Sequence, residues 1–163
     1  MTISEMLLPE FDYEMANTRK VLERVPEDKY GWKLHEKSFT MGRMASHIAE
    51  MPGWGTYTVN LDKLELTPDF KPLNASTQAE LLAAFDKNVT EARAAIAGAS
   101  DEHLGKTWEL LFGGQVVLSQ PRAGILRSMV MNHIIHHRGQ LTMYLRAQDV
   151  PVPGMYGPSA DEK

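Results

Sequence analysis

The sequence contains no cysteine. Disulfides, thiolate metal ligands, iron–sulfur clusters and a cysteine nucleophile are therefore excluded, and any thiol chemistry must be imported with a small molecule. Long apolar runs are also missing: no window approaches the roughly 20 apolar residues that cross a bilayer. The opening stretch MTISEMLLPEFDYE is acidic and lacks the basic start and long apolar segment of a secretory signal. Positive charge is not in excess: 17 Lys and Arg against 21 Asp and Glu leave a net charge of −4. With the cations spread thinly, there is no electrostatic footprint for nucleic acid. These absences lead us to expect a cytoplasmic protein that acts on small molecules, with neither nucleic acid nor membrane as a partner.

Several chemical signatures are absent as well. There is no HExxH, which removes the usual zinc-protease base. There is no CxxCH for haem attachment, although Met and His axial ligation stays open. No GxGxxG or P-loop occurs, and no nucleophile elbow is visible.

What remains is a chain of 163 residues, 43% apolar and 23% charged, in the range of one ordinary globular domain spanning residues 1–163. Its ten methionines read as adaptable core filler. Residues 5–25 carry Leu7, Leu8, Phe11, Met15, Val21 and Leu22 at helical spacing, with Glu14, Arg19, Lys20, Glu23 and Arg24 on a charged back. Pro9 is expected in the first turn, and Pro26 stops the helix. A second helix starts near Thr40, with Ser38 or Thr40 as N-cap, and runs through Met44, His47, Ile48 and Met51. Pro52-Gly53 should break or kink it before it resumes through Trp54, Tyr57 and Leu61. Residues 66–76 read as a loop.

Thr77-Gln78-Ala79-Glu80 fits a capping box, with Glu80 reaching back to the N-cap N–H. A third helix follows over Gln78–Ala97. Two β-prone runs around Gly113-Gly114 suggest a small β-hairpin. A fourth helix over Gln120–Gln148 has a stripe of Leu126, Met129, Val130, His133, Ile134, His137, Leu141, Tyr144 and Leu145, with Arg127 and Arg138 facing away. The tail from Val150, with Pro151, Pro153 and Pro158, is extended. The fold class is all-α: a four-helix bundle, whose topology periodicity leaves open, with the small hairpin before the last helix.

Three of the six histidines fall in His133-Ile134-Ile135-His136-His137. Residues four apart share a helix face, so His133 and His137 can aim at one point, while His136 lies at the margin. His47 lies on the apolar stripe of the second helix. Three core-facing histidines are hard to satisfy separately, because each neutral ring needs partners for both nitrogens. Imidazole suits zinc, nickel, copper and ferrous iron, and three such ligands leave a coordination position open. Di-iron carboxylate chemistry does not fit, because His47-Ile48-Ala49-Glu50 reverses the Glu-x-x-His order and the stripes carry almost no carboxylates.

These residues carry a resemblance. Trp32-x5-Ser38 leading into Met44-x-x-His47 resembles the second-helix signature of the DinB-like (DinB/YfiT) superfamily. So does His133-x3-His137-Arg138-Gly139-Gln140-Leu141 followed by Tyr144-Leu145-Arg146, and so does the ending Val152-Pro153-Gly154-Met155-Tyr156-Gly157-Pro158. The resemblance implies an up-down-down-up four-helix bundle and a divalent metal, zinc or nickel, held by His47, His133 and His137, with His136 outside the motif. It implies activation of a low-molecular-weight thiol, such as mycothiol or bacillithiol, for S-transfer or isomerisation, and a homodimer. Asp149 departs from the glycine common there. The alternatives are a non-catalytic metal- or ligand-binding stress protein and a metal-dependent hydrolase. Glu50 and Gln140 are candidates to orient imidazoles, and Trp54, Tyr57 and Tyr144 to line a pocket. No catalytic base or cofactor contact is identifiable.

Overall fold

Helix α1 (Ile3–Leu22) starts earlier than its apolar stripe suggests, because Thr2 closes a capping box. Its hydroxyl accepts from the Glu5 N–H, and the Glu5 carboxylate accepts from the Thr2 N–H. Pro9 therefore sits inside the helix rather than in its first turn. The structure, a computed structural model, describes residues 1–162.

Helix α2 (Met41–Asn60) is capped by the Thr40 hydroxyl and runs unbroken through Pro52, where a break or kink was expected. The Asn88 amide donates to the Ala49 carbonyl at 2.9 Å, in the turn where the proline disturbs the ladder. Gly53 and Gly55 permit this close packing, since a Cβ on either would lie 3.3 Å from Asn88 Oδ1 or Ala92 Cβ, respectively. Both contacts belong to helix α3 (Gln78–Gly98). Thr77 caps α3 as expected, and the Glu80 carboxylate reaches back to the N–H and hydroxyl of Ser76 at 2.8 and 2.7 Å, with the N-cap N–H a weaker donor to it.

The all-α expectation does not cover the sheet. Strand β1 (Lys63–Leu66) pairs in parallel with β2 (Thr107–Phe112), which pairs antiparallel with β3 (Gln115–Pro121). Gly113 and Gly114, at φ +56 and +76, make the two-residue turn between β2 and β3, a conformation that glycine adopts without a Cβ penalty. A short helix α4 (Asp101–Gly105), capped by Ser100, precedes β2. The chain is thus mostly helical, with a small three-stranded sheet.

The last helical stretch begins at Arg122, because Gln120 and Pro121 belong to β3. It consists of α5 (Arg122–Ile125), a π-helical segment (Leu126–Met131) and α6 (Asn132–Ala147). Arg122 is buried and donates to the carbonyls of Thr58 (3.0 Å), Leu61 (3.1 Å) and Thr107 (3.3 Å), which ties the end of α2 to the sheet. The main core gathers apolar faces from α1, α2, α3 and α6, with Val150, Val152 and Met155 of the tail packed against it. A smaller cluster of Trp108, Leu110 and Ile125 sits under the sheet. Among the described residues, no helix is long and apolar enough to cross a membrane.

Two charged residues expected on solvent faces are buried. Arg138 is 1% exposed and Glu14 5% exposed, and they form an ion pair at 2.7 Å. Arg138 also donates to the Glu14 carbonyl and the Thr18 hydroxyl, and to the Tyr156 hydroxyl at 2.7 Å. Tyr156 in turn donates to the Glu14 carboxylate at 2.9 Å. The physical reason is the tail, which lies across α1 and α6 and excludes water from a face that periodicity assigns to solvent. Arg127 does face solvent and pairs with Glu10. Arg138→Ala strands a buried carboxylate and should cost about 3–5 kcal/mol in urea denaturation. Arg127→Ala should cost no more than about 1 kcal/mol.

Candidate metal centre

Helix α2 supplies His47, and α6 supplies His133 and His137 one turn apart on the face that packs against α2. The π-helical segment ends at Met131, so both α6 histidines lie in regular helix and keep their four-residue alignment. The Nε2 atoms of His47 and His133 are 3.4 Å apart, and those of His133 and His137 are 2.8 Å apart. The three residues each offer a ligand atom within 4.8 Å of the others, and all three side chains are half-buried.

Hydrogen bonds on the outer nitrogens decide what the inner ones present. His47 Nδ1 is 2.8 Å from Glu50 Oε1, and His137 Nδ1 is 2.7 Å from Gln140 Oε1. Both partners are acceptors, so each Nδ1 carries the proton and each Nε2 turns a lone pair inward. His133 Nδ1 is buried without a hydrogen-bond partner, and the Met129 backbone acts on the ring only by opposing the lowering of its pKa.

Inward lone pairs at these separations repel unless a cation or proton lies between them. Metal–imidazole bonds of about 2.0–2.1 Å in tetrahedral array place ligand nitrogens roughly 3.3 Å apart, close to the observed spacing. The donor set and its geometry therefore fit a borderline divalent ion, and the cluster could hold one.

Electrostatics disfavour the charged forms of His133 and His137. Burial, reinforced by the neighbouring imidazoles of His137 and His47, lowers the His133 pKa from 6.5 to about 4. Burial also lowers that of His137, against the opposing bond to Gln140. Burial on its own would raise Glu50. The His47 ring, the Leu73 N–H at 2.7 Å and Arg43 at 3.1 Å together outweigh it and hold the carboxyl below its ordinary range.

A family model described as "DinB family" matches residues 2–163. The chain belongs to the DinB family. It is 26% identical over 157 residues to the uncharacterized protein YrdA of Bacillus subtilis (strain 168), covering 95% of this chain and 89% of that protein. The crystal structure of a DinB-like protein from Bacillus cereus ATCC 10987 aligns with a TM-score of 0.71 at 25% identity, covering 93% of this chain and 97% of that one. The DinB-like protein YjoA from Bacillus subtilis aligns with a TM-score of 0.70 at 16% identity, over 97% and 99% of the two chains. The likeness to YjoA concerns the fold.

In this DinB-family chain, the expected trio of His47, His133 and His137 is brought together. His136 is exposed and stays outside, its ring centroid 4.9 Å from that of His137. Glu50 and Gln140 both reach the ring nitrogens they were candidates for. Tyr144 lines a cleft of about 410 Å³ that opens beside His137. Trp54 and Tyr57 instead line a separate cavity of about 250 Å³ that Glu50 also lines, with Phe70 and Leu73.

Sequence reasoning missed Arg43, which holds Glu50 and bonds the Leu73 carbonyl at 3.3 Å. A signal was present, since Arg43 lies one turn before His47 and two turns before Glu50 on the same helix face. The Leu73 contacts carry no such signal, because they depend on how the 67–76 loop folds back.

The lowered pKa of His133 has a consequence for the metal-free protein. Between pH 6.5 and about 4 the unfolded chain binds the proton that the folded chain refuses. Stability is then complete above pH 6.5 and falls on acidification toward pH 4. Urea denaturation of chelator-treated protein across this range should show the loss, and His133→Ala should shrink it.

Proposed function

We propose that His47, His133 and His137 ligate a divalent cation, zinc or nickel, and that the protein is an enzyme activating a low-molecular-weight thiol for S-transfer or isomerisation. The observation that carries the metal assignment is the convergence of Nε2 lone pairs from rings whose outer nitrogens are committed to Glu50 and Gln140. When bound, such a cation favours the deprotonated form of a thiol or of water near neutral pH.

This chain's own residues supply the rest. Glu50 fixes the His47 tautomer and ring plane, and its carboxylate brings negative charge close to the site. Arg43 and the Leu73 N–H hold Glu50 ionised and in place, so that it accepts from His47 rather than from water. Gln140 does the same for His137 without adding charge. The absence of cysteine keeps the protein from offering a competing thiol of its own. A cleft adjoining His137 suits turnover of a small molecule better than a closed storage site would. We read α1, α2, α3 and the helical stretch from Arg122 to Ala147 as the four members of an up-down-down-up bundle, with the sheet as an appendage.

Elemental analysis should find one divalent ion per chain. Alanine at His47, His133 or His137 should reduce that content to near zero, and His136→Ala should leave it intact. A larger loss from His136→Ala would overturn the ligand set. Glu50→Gln should weaken metal affinity about 10–100-fold in a chelator competition. Metal-loaded protein mixed with a panel of biological thiols and electrophiles should consume thiol. If it does not, while binding its ion stoichiometrically, the chain is a binding protein rather than an enzyme.

A further inference from the structure

The cleft beside His137 has a chemical polarity of its own. Leu34, Phe39 and Met143 stand at its mouth, 51%, 47% and 60% exposed, and Met44 and Tyr144 line it further. Exposed apolar side chains are ordinary when scattered. Three of them, drawn from two separate parts of the chain and gathered around one opening, make a patch that water does not favour. The wall is held in advance of any ligand: the Tyr144 hydroxyl donates to the Phe39 carbonyl at 3.0 Å, and the Trp32 ring meets Tyr144 edge-on at 5.7 Å.

The polar side of the cleft is formed by Lys37, Ser38, Gln140 and the His137 ring, without a carboxylate. Lys37 lines it, has no ion-pair partner among the described residues, and meets no carboxylate in the lining. Gln140 commits its amide oxygen to His137, which leaves its NH₂ free to donate. In a chain of net charge −4, a cleft with a cation and no anion is a local exception.

We propose that this cleft binds an amphipathic organic anion, a carboxylate with an alkyl or aryl body. The apolar body lies against Leu34, Phe39 and Met143, and the head group meets Lys37. The proposal rests on reading the site as that of a small-molecule enzyme and adds the class of molecule brought to it. Recognition combines burial of the body, which sets affinity, with charge, which selects acids over amines.

The test is calorimetric titration of metal-loaded protein with butanoate, hexanoate and octanoate, and with octan-1-ol and octylammonium. Affinity should rise about fourfold per added methylene, and octanoate should bind more tightly than octylammonium. Lys37→Glu should weaken octanoate about fivefold and leave octan-1-ol unchanged. Met143→Asp should weaken both. Octanoate binding should persist in chelator-stripped protein.

A flat chain-length series, or an octanoate-to-octanol ratio that Lys37→Glu does not move, would overturn the proposal. Loss of octanoate binding together with the metal would overturn it too, since the head group would then be a metal ligand. Thiol is not involved in any of these measurements. A protein that binds octanoate yet consumes no thiol sinks only the thiol reading. One that consumes thiol yet ignores octanoate sinks only this proposal.

Discussion

The Nε2 atom of His133 lies 3.4 Å from that of His47 and 2.8 Å from that of His137, and much of the surrounding structure holds the three rings in that arrangement. Helix packing of α2 on α6 brings the rings together. Hydrogen bonds on the outer side keep two of them from rotating away. Glu50 has the largest share of this work. Its carboxylate accepts from His47, from Arg43 and from the backbone of Leu73, so one side chain joins a ligand, a cation and the 67–76 loop. Burial opposes its ionisation, and only the sum of these donors reverses the balance.

The segment from His133 to Gln140 divides its residues among three directions. His133 and His137 turn toward α2. Arg138 turns toward α1, where it closes a buried network with Glu14, Thr18 and Tyr156. Gln140 bends back to the ring one turn before it. The ion pair beside the histidines therefore anchors α6 to α1 and to the tail. Since such a pair can cost as much desolvation as it returns in attraction, its clearest effect is to specify one arrangement of the three segments. Arg122 makes a comparable anchor at the other end of the helical stretch, where it gathers carbonyls from α2 and the sheet. Nothing in the structure explains Gly139, around which a Cβ would meet no atom within 4 Å.

The sequence determined the trio by itself, together with the long helices that carry it. Four-residue spacing places His133 and His137 on one face whatever the tertiary fold, and the apolar neighbours of His47 put it on a buried stripe. Glu50 and Gln140 were legible as partners for the same local reason, since three residues along a helix is within reach of a ring nitrogen. Tertiary structure decided the features that depend on remote segments. Glu14 and Arg138 look solvated in periodicity because the tail that covers them lies far from Glu14 along the chain. β1 escaped notice because its Lys-Leu-Glu-Leu pattern becomes a strand only beside β2. Trp54 and Tyr57, one and two turns beyond Glu50, line a cavity separate from the His137 cleft. Helical periodicity is a local property, fixed by backbone geometry and readable residue by residue. Burial of a charge and the shape of a cleft belong to whichever distant segments arrive, and they exist only once the chain has closed on itself.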